Sequence, residues 1–129
     1  MKPPFIPAGK SDDDAIEILH RTPWGEVKPH AMALLEWLQD MNWPISRPVF
    51  EYLEPRVNAL FPEILDIFAK NDDIWKANML YLLRSADPVP DDERLRAAVL
   101  RIAQHPTPGE IAEDAAEAAI ELAQKWALL

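Results

Sequence analysis

Apolar residues recur along this chain at helical spacing, and no segment alternates strictly enough to read as a strand. Ile16 and Leu19 share the inner face of a segment starting near residue 12 and ending near His20. Leu34, Leu35, Trp37 and Leu38 give a stripe to residues 28–40, and Ile45, Val49, Phe50 and Leu53 to residues 44–54. Leu60, Ile64, Leu65, Ile67 and Phe68 do so for 55–69. Residues 73–85 carry two apolar faces, Trp75, Met79 and Leu82 on one and Ile74, Leu80 and Leu83 on the other, which predicts a central helix. Leu95, Ala98, Val99 and Ile102 mark 91–105, and Ile111, Ala115, Ala119, Leu122 and Trp126 align to the chain end. The spacing predicts an all-α protein of about seven helices.

Thirteen prolines against three glycines make stiff corners between these segments. Ser11, ahead of Asp12, Asp13 and Asp14, is a candidate N-cap, as are Asn71-Asp72-Asp73 and Thr107-Pro108-Gly109-Glu110. Pro23, Trp24 and Gly25 predict a turn over 21–27, and Pro44 the first residue of a helix. Pro48 is expected to bend a first turn and Pro62 to kink a helix. Residues 1–10 read as a proline-rich arm on a single domain spanning 1–129. Sliding the chain by 30 residues lays Leu34, Leu35, Trp37 and Leu38 on Ile64, Leu65, Ile67 and Phe68, and Val49, Phe50 and Leu53 on Met79, Leu80 and Leu83. That spacing resembles HEAT and armadillo repeats, which implies helical hairpins stacked antiparallel; an irregular helix bundle is the alternative.

Charge and composition narrow the function. The net charge of −9 disfavours nucleic acid and anionic membranes and would attract a basic protein partner. Cysteine is absent, so neither a disulfide framework nor a thiolate metal site is expected. The start Met1-Lys2-Pro3-Pro4-Phe5-Ile6-Pro7 lacks the apolar core of a secretory signal, and no apolar run approaches the ~18 residues of a membrane span, which predicts a cytoplasmic protein. His20, His30 and His105 form no ligand motif, the carboxylate clusters sit at helix starts, and no phosphate-binding or nucleophile motif occurs. No catalytic residue, cofactor or metal is expected. Arg84, Arg94, Arg96 and Arg101 precede Glu110, Glu113, Asp114, Glu117 and Glu121, and neutralisation between those helices is expected. The apolar end Trp126-Ala127-Leu128-Leu129 fits either a monomer or a homodimer.

The stretch Trp37-Leu38-Gln39-Asp40-Met41-Asn42-Trp43-Pro44 carries the strongest signal. Reversing the chain needs no large indoles. Asp40 and Asn42 suit caps, while Trp43, ahead of proline, is held extended with its ring thrown sideways. Asp73, Trp75 and Lys76 come from the next equivalent turn. Together with Asp40, Asn42, Trp43 and Arg47 they form the expected partner-binding edge, since Trp and Arg dominate interface hot spots. Trp37, on the apolar stripe, is expected in the core. Phe5-Ile6-Pro7, the sequence from Leu34 to Pro44, and Asp72-Asp73-Ile74-Trp75-Lys76 resemble a bacterial family of domains of unknown function, number 5071. Ala8 and Gly9 depart from the Lys-Asp pair of its pattern. The resemblance implies no activity. The expected function is a non-enzymatic protein-interaction module. An acidic inhibitor such as a toxin immunity protein is one alternative, and a small-ligand binder or enzyme with a concave pocket near His30 and Asn78 is another.

Overall fold

The computed structural model describes residues 2–129 and is all-helical, with no strand among the described residues. The chain divides into two compact units, residues 1–53 and 54–129. The helices are shorter and more often broken than the expected seven, and each break has a local cause.

In the first unit, α1 spans Asp13–Arg21. Its cap is Asp12 rather than Ser11: one carboxylate oxygen accepts from Ala15 N–H at 3.3 Å and the other from Ala8 N–H at 2.9 Å. Asp12 therefore starts the helix and anchors the preceding arm together. That arm is docked. Phe5, Ile6 and Pro7 are buried, and the Phe5 ring meets His30 edge-on at 5.6 Å. The Lys10 carbonyl accepts from Ile45 N–H at 2.9 Å. Residues 21–27 are not a plain turn, because α2 forms at Trp24–Val27. The stripe over 28–40 is not one helix either. It runs as a tight turn at Lys28–His30, α3 at Ala31–Leu35 and a second tight turn at Glu36–Leu38. Pro29 supplies no amide for an α-helical bond there. α4 starts at Ser46 rather than at Pro44 and ends at Leu53. Pro48 lies in its first turn, where amides have no partner within the helix, so its missing donor removes no helical bond. Leu19, Val27, Leu34, Leu35, Leu38, Ile45, Val49 and Leu53 fill this unit's core.

The second unit opens with a tight turn at Glu54–Ala59, followed by α5 at Phe61–Phe68. Pro62 therefore begins a helix rather than kinking one. α6 spans Asp73–Leu83, with the Asp72 carboxylate accepting from Trp75 N–H at 3.0 Å. Trp75, Ala77, Met79, Leu80, Leu82 and Leu83 are buried along it, as the two-faced pattern predicts, but Ile74 is 49 % exposed. α7 spans Glu93–Gln104 behind an Asp92 cap. The last helix breaks into α8 at Pro108–Ala112 and α9 at Ala115–Lys125, because Asp114 takes a left-handed conformation with φ 65°. Ala115, Ala118, Ala119 and Ala123 are buried where α9 packs on α6 and α7, and their small side chains permit a close approach. α9 ends with Ala127 left-handed and Leu128 N–H donated to the Ala123 carbonyl at 2.8 Å, a Schellman closure.

Candidate functional site

The tryptophan turn joins the tight turn at Glu36–Leu38 to α4, and backbone acceptors fix its shape. The Asp40 carboxylate accepts from Asn42 N–H at 2.9 Å, and the Asp40 carbonyl accepts from Trp43 N–H at 3.2 Å. Ser46 is fully buried, and its hydroxyl lies within hydrogen-bond reach of the Trp37 carbonyl and of the Asp40 carbonyl at 2.8 Å. Its single proton is thus shared between the two strands of the turn. Those bonds leave Trp37 and Trp43 in contact edge to face, with ring centres 5.5 Å apart and planes at 72°. Such a pair contributes ~0.5–1.5 kcal/mol beyond its buried area. Lys10 Nζ stands 6.0 Å from the centre of the Trp43 ring.

Both indoles are half-buried rather than in the core. For Trp37 this corrects the expectation from the stripe. The tight turn advances about 3.0 residues per cycle instead of 3.6, which rotates residue 37 off the apolar face. Ala33, Glu36 and Trp37 share that rotated face. With Gln39, Trp43 and Lys2 they line a cleft of ≈ 200 Å³. The small Ala33 side chain leaves room there, while Glu36, Gln39 and Lys2 supply polar groups of differing charge. Lys2 and Lys10 belong to the arm, so sequence spacing alone does not bring them to the turn.

The seven residues expected on one edge fall into two groups. Asp40, Asn42, Trp43 and Arg47 lie together in the first unit, with Asn42 and Arg47 exposed. Asp73, Trp75 and Lys76 belong to the second unit, where their surroundings differ. Trp75 is 5 % exposed and is a core side chain, not a surface anchor. The 30-residue shift explains why: it lays Trp75 on Ile45, which is also buried, and not on Trp43.

Lys76 is buried too, and it holds a charge cluster. Its ammonium donates to Asp73 Oδ1 at 3.2 Å and Glu110 Oε2 at 3.1 Å. Glu110 is fully buried and receives a two-pronged bond from Arg101 at 2.5 and 2.7 Å. It also closes a reciprocal capping box with Thr107, taking Thr107 N–H at 2.8 Å while Thr107 Oγ1 accepts Glu110 N–H at 3.2 Å. Burial pushes the Glu110 carboxyl up, but hydrogen bonds from Arg101, Thr107 and Lys76 outweigh it and hold it at about 2, against the ordinary 4.5. The carboxylate raises the Arg101 guanidinium in turn. A methyl group at Gly109 would stand 2.1 Å from Asp73 Oδ2, so glycine is what lets α8 lie against that carboxylate. Both Glu110 oxygens are held by fixed donors, which suits a structural clamp rather than a reacting group.

Among the described residues, no three His, Cys, Asp or Glu side chains cluster as a metal site, and no helix is long and apolar enough to cross a membrane. His20 meets Tyr52 edge-on at 5.5 Å, as His30 meets Phe5. Asn78 is buried on α6.

These features define an all-helical protein with one half-exposed aromatic turn and one internal ion cluster. The sequence matches the Domain of unknown function (DUF5071) family over residues 5–123, which includes both the turn and the cluster, and the chain belongs to that family. No curated protein matches it.

Proposed function

We propose that this protein is a non-enzymatic protein-interaction module that engages its partner through the cleft between Trp37 and Trp43. The observation carrying this reading is a pair of indoles left half-exposed at a corner whose backbone is already fixed. A preformed aromatic anchor loses little conformational entropy on binding. The cleft size favours a protein partner over a free ligand. At ≈ 200 Å³ it falls below the ~300–1,000 Å³ of most small-molecule sites and suits one or two side chains of a partner. Matching burial at Leu34 and Ile64, Leu38 and Phe68, Val49 and Met79, and Leu53 and Leu83 supports reading the two segments as HEAT-like hairpins. We place the protein in the bacterial cytoplasm.

Affinity capture from the native host tests the reading, with Trp43→Ala compared against the parent chain. Trp43 is half-exposed, so Trp43→Ala should keep the fold, with a thermal midpoint lowered by only a few degrees. A partner enriched by the parent and reduced at least about tenfold by Trp43→Ala is the expected result for a hot-spot indole. Undiminished capture by a folded Trp43→Ala protein overturns the placement.

A further inference from the structure

An edge-to-face pair of rings leaves, beside its contact, a corner bounded by two aromatic faces. Trp37 and Trp43 form such a pair, with their planes at 72°, and both rings line the cleft of the tryptophan turn. Each face carries the negative side of the ring quadrupole, so the corner attracts a cation rather than an anion.

Two further observations point the same way. Glu36 lines the cleft and is exposed, and no described cation lies within ion-pair distance of its carboxylate. The chain also supplies an ammonium to one of these rings itself: Lys10 Nζ lies 6.0 Å from the Trp43 centre, at the outer reach of a cation–π contact. Lys10 does not line the cleft, so that contact leaves the corner open. Lys2 does line it, but is exposed, and its long stem allows the ammonium to turn out to water.

We infer that the cleft receives a lysine side chain of the partner, with its ammonium in the corner between the two indole faces and against the Glu36 carboxylate. The inference rests on the reading of the cleft as the partner-binding site and adds the chemistry that fills it. A corner of two faces suits a compact ammonium, whereas a planar guanidinium stacks on one ring at a time. The cleft of ≈ 200 Å³ has room for one such side chain. The net charge of −9 draws a basic partner towards it.

The test follows the indole N–H NMR signals of the full chain during titration with N-acetyl-lysine methylamide. The control is N-acetyl-norleucine methylamide, which has the same carbon stem without the ammonium. The lysine probe should shift the Trp37 and Trp43 signals and leave in place that of Trp24, a half-buried indole elsewhere in the first unit. The norleucine probe should bind at least about tenfold more weakly, because it brings no charge to the ring faces or to Glu36. Glu36→Gln should weaken the lysine probe about three- to tenfold, and Glu26→Gln, which removes an exposed acid elsewhere in the unit, less than about twofold. Equal affinity for the two probes means a merely apolar cleft and overturns the inference, as do equal losses in the two acid variants or no shift at Trp37 and Trp43. None of these outcomes touches the partner reading, which stands or falls on capture by Trp43→Ala. Conversely, selective lysine binding with undiminished capture by Trp43→Ala keeps the cation site and removes the partner from it.

Discussion

Residues 46 and 76 occupy the same place in the two units when the chain is shifted by 30, and both are buried polar side chains that fasten a helix start. They do so by opposite chemistry. Ser46 uses one neutral hydroxyl shared by two backbone carbonyls, and the corner it closes is finished with aromatic rings. Lys76 uses a full charge, which in turn requires Glu110, Asp73 and Arg101 around it. A neutral fastener leaves its surroundings free, so the first unit can expose two indoles beside it. A charged fastener commits its surroundings, because each buried charge without a partner costs several kcal/mol. The half-exposed aromatic corner stands beside the neutral fastener, and the equivalent tryptophan-bearing turn of the second unit is closed.

Breaking the charged fastener gives the largest expected effect. Glu110→Ala leaves Lys76 with only Asp73 and Arg101 with no partner, and should destabilise the second unit by ~3–5 kcal/mol. Hydrogen exchange reads the two units separately. The amides of α6, α7 and α8 should lose protection while those of α1 and α4 keep theirs, and a uniform loss would erase the contrast between units. Acid sharpens the same comparison. The Glu110 carboxyl sits at about 2 when folded against 4.5 ordinarily, so its stabilisation is complete above 4.5 and fades as pH falls towards 2. That amounts to about 3 kcal/mol across the window. Urea unfolding from pH 6 to pH 2 should show this loss in the parent chain and a shallower slope in Glu110→Gln. The neutral fastener gives the smallest effect. Ser46→Ala should cost ~1–2 kcal/mol, with no dependence on pH between 2 and 6. A larger or acid-sensitive loss on equilibrium unfolding would mean that the two fasteners are not so different.

Much of this was legible in sequence. The apolar stripes located the helices, and Asp72 and Thr107 act as the caps their positions suggest. The turn was legible because Asp40, Asn42 and Trp43 interact within a few residues of one another. Helix breaks were not, because a left-handed Asp114 and a tight turn at Glu36–Leu38 reflect packing that spacing does not encode. The equivalent-turn argument puts Trp75 on the edge, although the 30-residue register aligns it with buried Ile45 rather than with Trp43. The Lys76–Glu110 contact joins positions 34 residues apart, and Lys10 reaches Trp43 from a segment with no periodicity at all.

The docked arm bears on the order of events during synthesis. Phe5, Ile6 and Pro7 are made before the residues they meet: Phe5 packs on His30, and the Lys10 carbonyl waits for the amide of Ile45. Closing so long a loop has an entropic cost that only the assembled core offsets. The arm is therefore made before its partners, yet it is among the last parts of the unit to settle. Until His30 and Ile45 emerge, the arm keeps its phenylalanine and isoleucine uncovered, where a chaperone would find them.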